Sequence, residues 1–173
     1  MFRLLLIVLA PAISALGLAN PVALKRDAWS DQVVSLHNSY RAQYGASPVS
    51  WNQNLYASAL SWAQQCNFVH SPGGKYGENL YAIGSTSADA LTMGLKSWMS
   101  EASKYDYNNP GFTSSTGHFT QVVWKSTTGV ACAQANCAAG TIFPNNASKF
   151  LVCRYTPPGN VAGQFPQNVG RHV

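Results

Sequence analysis

The chain is short of charge, and of negative charge most of all: 6 of its 173 residues are Asp or Glu and 11 are Lys or Arg. No run of like charge and no RNA-binding signature occurs, so a nucleic-acid partner has no support. The net charge of +5 also overstates the basicity of the working domain. Arg3, Lys25 and Arg26 all lie in the first 26 residues, and without them the balance falls to +2. Internal repeats and low-complexity tracts are absent, as are an HExxH helix and a GxSxG elbow, the local signatures of zinc hydrolases and serine hydrolases. Cysteine is sparse at four residues, Cys66, Cys132, Cys137 and Cys153.

What is present begins with a leader. MFRLLLIVLAPAISALGLA has an early Arg, an apolar block from Leu4 to Ala10, and small residues at Gly17 and Ala19, the pattern of a secretory signal peptide cut after Ala19 (residues 1–19). Pro11 and Ser14 interrupt it as a membrane span, so the mature chain is not expected to be integral to a membrane. Residues 20–26 end in Lys25-Arg26, read either as a convertase site closing a propeptide or as two solvated charges. Residues 27–173 then suit one domain with a sizeable core.

In an oxidising compartment four cysteines predict two disulfides rather than a zinc site, which would want tighter paired spacing. We expect Cys66 with Cys132 and Cys137 with Cys153, the second joining neighbouring strands and the first tying the helical half to them. Each closure should stabilise by about 3 to 4 kcal/mol. Asn146-Ala147-Ser148 is a glycosylation sequon, which marks the stretch from Ala138 to Ser148 as an exposed loop.

Periodicity divides the domain. Val33, His37, Tyr40 and Tyr44 fall at helical spacing between an N-cap at Ser30 and a stop at Gly45, which puts His37 inside. A second helix is predicted over 54–66 on the stripe Leu55, Ala59, Trp62, Ala63 and Cys66, and a third over 88–103 on Leu91, Leu95, Trp98 and Met99. KYGENLYAIG reads as extended, and GVACAQA and SKFLVCRYT as antiparallel strands. The closing stretch from Pro157 to Val169 reads as an ordered surface loop. Helices first and strands later predict an α+β fold with helices on a small antiparallel sheet.

Two imidazoles and two carboxylates stand out in mostly apolar surroundings: His37, Glu78, Glu101 and His118. Such a set is able to hold a divalent cation, zinc or magnesium, or equally to form a buried network in which each imidazole donates to a carboxylate. Ahead of His118, Tyr105, Tyr107 and Phe112 are spaced along a Pro/Gly-interrupted stretch around Pro110 that suits neither helix nor strand. The rings either staple the loop down or stay open as a platform for a flat apolar ligand.

GHFTQVVWKST (117–127) and FLVCRYTPPGNVAGQ (150–164), with HNSYRAQYG and YGENL, resemble the signature motifs of the CAP superfamily, the cysteine-rich secretory, antigen 5 and pathogenesis-related class 1 proteins. The resemblance spans residues 30 to 166. It implies a three-layer α-β-α sandwich, a cleft in which His37, Glu78, Glu101 and His118 converge as a cation site, and a sterol-binding loop at Tyr105, Tyr107, Pro110 and Phe112. Plant members usually have six cysteines in this domain, so four make the secreted fungal, sterol-exporting members the closer comparison. The function this implies is a secreted, extracellular carrier of sterols, with fatty acids as a second ligand class. The alternatives are a metal-dependent hydrolase, with a Glu as general base, and an effector that acts on an extracellular protein target.

Overall fold

The computed structural model describes residues 27–173; the leader and dibasic readings lie outside the described residues. Five helices and four strands follow one another as α1 (Ala28–Ala42), β1 (Ser50–Trp51), α2 (Gln53–Ala63), β2 (Gly77–Ile83), α3 (Ala90–Ser100), α4 (Gly117–Val122), β3 (Gly129–Cys137), β4 (Ser148–Thr156) and α5 (Phe165–Asn168), with a 3-10 turn at Glu101–Lys104. The sheet runs β1-β3-β4-β2. It is antiparallel apart from the two-residue β1, which pairs parallel with β3, so the sheet is mixed rather than purely antiparallel. No helix among the described residues is long and apolar enough to cross a membrane.

Alternation along the strands builds the three layers. Val130, Cys132, Leu151, Cys153 and Tyr155 face a core shared with Val33 of α1, Leu91, Leu95 and Trp98 of α3, and Phe119 and Val122 of α4. The intervening Ala133, Cys137, Phe150 and Val152 face Ala59 and Ala63 of α2. At Gly94 α3 lies so close to the sheet that a Cβ would come within 3.0 Å of Leu151 and 3.1 Å of Tyr81.

The helices begin at side-chain caps. Asp27 accepts from Ser30 N–H (2.7 Å), so α1 is capped three residues before the predicted Ser30, and Gly45, at φ +63°, ends its turn. Asn52 caps α2 and Asp89 caps α3. Two helices escaped the periodicity reading. α4 is one and a half turns in a run rich in β-branched and aromatic residues, and α5 lies in the stretch read as a loop, burying Phe165 and Asn168.

The disulfides correct the expected pairing: Cys66 bonds Cys137 and Cys132 bonds Cys153. Register explains it, because Cys132 stands directly opposite Cys153 whereas Cys137 stands opposite Ser148. Cys132 also points away from α2, so Cys66 at the end of that helix meets Cys137, the cysteine on its own face. Loops of 71 and 21 residues correspond to about 4 and about 3 kcal/mol.

One buried cation knits the helical layer. Arg41 donates from Nε to Ser47 O (2.9 Å), from Nη1 to Val122 O (2.8 Å) and Trp124 O (2.9 Å), and from Nη2 to Thr127 O (3.0 Å). Its charge meets the carbonyl end of α4. Burial lowers its pKa to about 10, which leaves it protonated at neutral pH.

Candidate functional site

Two histidine–carboxylate pairs sit where β2 meets α4. The first is anchored by Glu78, opposite Arg154 in the sheet register. Arg154 Nε donates to Glu78 Oε2 (3.1 Å), Ser71 donates to the same carboxylate from its N–H (2.9 Å) and hydroxyl (2.8 Å), and His70 Nδ1 lies 3.0 Å from Oε1. The Arg154 guanidinium also lies 4.1 Å over the Tyr76 ring, and the Tyr76 hydroxyl donates to Ser71 Oγ (2.9 Å). Burial alone would raise the Glu78 carboxyl; donors from His70, Ser71 and Arg154 outweigh it and hold the pKa at about 2. The hydrogen bond to Glu78 in turn raises the pKa of His70, whose side chain is 64% exposed.

The second pair joins the end of α3 to the start of α4. Glu101 Oε2 accepts the N–H groups of His118 (3.0 Å) and Phe119 (3.1 Å), so this carboxylate caps a helix whose own Thr116 makes no side-chain cap. Its Oε1 lies 2.7 Å from His118 Nδ1. Trp98 stacks on the far side of that imidazole, 12° from parallel at 6.0 Å.

Asn79 ties the two pairs together. It follows Glu78 on β2 and points to the opposite face, where Nδ2 donates to His118 O (3.0 Å) and Tyr155 Oη (3.4 Å). Tyr155 reaches His37 Nε2 (3.0 Å), and His37 Nδ1 reaches Val33 O (2.8 Å). A carbonyl only accepts, so Nδ1 carries the proton; Nε2 then accepts from the Tyr155 hydroxyl, which itself accepts from Asn79. His37 is therefore a neutral core histidine with both nitrogens occupied, and burial lowers its pKa to about 4.

That corrects one of the four expected cleft residues. Glu78 lines the cleft, Glu101 and His118 form the neighbouring pair tied to it through Asn79, and His37 belongs to neither; the imidazole on Glu78 is His70, which the sequence reading passed over. The available signal was position, a histidine eight residues before one of the few acids, joined to it by a Ser-Pro-Gly-Gly turn able to fold back on the strand. Among the described residues the three ligand-type side chains whose donor atoms lie within 4.8 Å of one another are His37, Cys132 and Cys153, and the oxidised cysteines are not ligands there.

His70, Ser71, Tyr76, Glu78, Gln121 and Asn160 line a cleft of about 300 Å³. Gln121 reaches it from α4 and accepts Gly159 N–H (2.8 Å), and Gly77 leaves it room, since the Gln121 amide oxygen occupies the place of a Cβ. Asn160 closes the rim by donating to Gly117 O (2.9 Å).

The aromatic stretch divides its labour. Tyr105 is core, packed edge-on against Phe119 and Tyr107. Tyr107 is half-buried, donates its hydroxyl to Gly170 O (3.0 Å) and carries the Arg171 guanidinium 4.7 Å above its ring. Phe112 is 63% exposed, with one edge against Gly117. Tyr107 and Arg171 separate two cavities. The first, about 460 Å³, is completed by Tyr44, Ala102, Ser103 and His172; the second, about 250 Å³, by Pro110, Pro166, Val169 and Gly170. Asn146 is exposed at the end of the 138–147 loop, whereas Ser148 opens β4 and its hydroxyl is buried with no hydrogen-bond partner among the described residues.

Residues 34–155 match the model of the family described as CAP, cysteine-rich secretory protein family. Pathogenesis-related protein 1 of Arabidopsis thaliana is 36% identical over 94% of this chain and 94% of its own length. Fruiting body protein SC7 of Schizophyllum commune is 42% identical over 80% of this chain and 71% of its own. Among solved structures, that of NaASP2 with Zn2+ aligns with a TM-score of 0.68 at 23% identity, covering 83% of this chain and 86% of that one, a likeness of fold.

Proposed function

This chain belongs to the CAP family of cysteine-rich secretory proteins, and we propose that it is a secreted carrier of small hydrophobic ligands, sterols first, held by the aromatic loop around Phe112. Secretion is supported by the leader motif and by two disulfides, which persist in oxidising compartments. The observation that carries the ligand reading is the division within the loop. Tyr105 and Tyr107 fasten it to the body, while Phe112 presents a large apolar ring to solvent two residues along the loop from Pro110, which walls a cavity with Tyr107, Pro166, Val169 and Arg171. A flat hydrocarbon gains about 25 cal/mol per Å² of apolar surface it buries there.

The same division selects the experiment. Tyr105→Ala would open the core, so Phe112→Ala is the informative change. Titration of the secreted protein with a fluorescent sterol should show binding weakened at least tenfold in Phe112→Ala, with an unchanged melting temperature. Retention of full sterol affinity in that variant would refute the loop site, and failure of the unmodified protein to take up sterol would refute the carrier.

The cleft supports a second, independent role, reversible binding of a divalent cation. In both pairs the carboxylate engages Nδ1, the arrangement in which a histidine presents Nε2 to a metal while a carboxylate fixes its tautomer. The donor types, two imidazoles each backed by a carboxylate, are those zinc takes: His70 and His118 would hold the ion, and Glu78 and Glu101 would orient them. When bound, the ion would supply a fixed positive charge in the cleft. Isothermal titration with Zn2+ should give binding that is lost in His70→Ala and retained in His37→Gln; the reverse order would return the site to the core histidine.

A further inference from the structure

We infer that the face formed by the aromatic loop and residues 170–172 docks onto a bilayer containing anionic lipid, an inference that rests on reading that loop as the lipid-binding element. Two cations sit at this face and a third follows one of its cavity residues in the chain. Arg171 lies over Tyr107, Lys125 Nζ stands 3.3 Å from where a Cβ on Gly170 would be, and Lys104 follows Ser103, which shares a cavity wall with Arg171. None of the three forms a salt bridge with a carboxylate among the described residues, although Glu78, Glu101 and the buried Arg154 are all tightly paired. His172, with its edge against Tyr44, adds a titratable base, and Asp106, whose carboxylate accepts Asn108 N–H, is the acid beside them on the loop.

Phe112 supplies the apolar partner. It projects from the loop that contributes Pro110 and Tyr107 to the cavity shared with Arg171, so the loop carries an exposed phenyl ring and a half-buried tyrosine beside a cation that forms no salt bridge among the described residues. An interfacial membrane site combines these features: a ring enters the acyl boundary, an amphipathic aromatic sits at headgroup level, and Lys and Arg meet lipid phosphates. A soluble anionic protein would satisfy the cations but would leave the ring without an apolar phase, which favours the bilayer. Docking here would put the cavity against the membrane that supplies or receives the ligand.

Each cation near an anionic bilayer is worth about fivefold in partitioning, so reversing two should cost at least about twenty-five-fold. The test is co-sedimentation of the secreted protein with sterol-free vesicles, of phosphatidylcholine alone or with phosphatidylserine. Melting temperatures are read first. We expect at least tenfold stronger partitioning onto the phosphatidylserine vesicles, weakening as salt is raised. Lys104→Glu/Lys125→Glu should abolish that preference, and Phe112→Ala should reduce binding to both vesicle types. Equal partitioning on the two vesicle types, or an unchanged preference in the natively folded lysine variant, overturns the inference. Sterol uptake from cyclodextrin, measured in parallel, separates this outcome from the carrier reading: uptake without docking refutes the docking face alone, and docking without uptake refutes the carrier alone.

Discussion

Replacing His37 with glutamine probes the buried relay from α1 to the cleft through its pH dependence. In the folded protein the imidazole titrates at about 4, in the unfolded chain at 6.5, because burial in the core disfavours the cation. The unfolded chain therefore takes up a proton between these values that the folded protein refuses. Stability is greatest above the unfolded value, declines as the pH falls below it, and levels off below the folded value. The full difference corresponds to about 3 kcal/mol, of which about 2.5 is expressed by pH 4.5. Glu78 acts lower: its pKa falls from 4.5 to about 2, so its contribution is lost mainly below pH 4.5. His70 has the opposite sign, since Glu78 raises its pKa and makes it stabilising at acid pH, but it is common to both proteins and cancels. Glutamine can donate to Val33 O and accept from Tyr155 without titrating, at a cost of about 1 to 2 kcal/mol at neutral pH. Urea unfolding from about pH 7.5 to 4.5 should show the parent losing about 2.5 kcal/mol more than His37→Gln. Parallel curves would refute the buried neutral assignment.

Three further expectations follow from single contacts. Arg41→Met strands the carbonyls of Ser47, Val122, Trp124 and Thr127 without their donor and should destabilise by about 3 to 5 kcal/mol in urea, with Arg41→Lys recovering less than half. A non-reducing peptide map should recover Cys66 with Cys137 and Cys132 with Cys153, and Cys66→Ser/Cys137→Ser should cost about 4 kcal/mol at the denaturation midpoint. Expressed through a eukaryotic secretory pathway, the protein should carry a glycan at Asn146; Ser148→Ala should remove it while leaving stability level with Asn146→Gln or about 1 kcal/mol higher, because the hydroxyl is buried without a partner. An intact mass equal to the bare chain would refute the modification.

The sequence by itself determined the elements whose signals are local and repeated. Helical spacing located α1, α2 and α3, flanking loop residues located β3 and β4, and the ordered motifs identified the family. Tertiary structure decided what depends on which face a residue turns to and what stands across from it. Nothing in the spacing of four cysteines says that Cys132 faces Cys153 in register while Cys137 turns toward α2. Helical periodicity put His37 inside correctly, yet inside proved to be the core beside Tyr155, not the cleft. His70 lies on an exposed loop without periodicity, and only the fold-back of Ser71 onto Glu78 brings it to the site. Tyr105, Tyr107 and Phe112 form one motif in the chain, but they separate into a core ring, a half-buried tether and an exposed ring because Phe119 and Gly170, distant in sequence, claim two of the three. Local periodicity reports that a side chain is buried; only long-range packing chooses its partners, and those partners distinguish a ligand from a core residue.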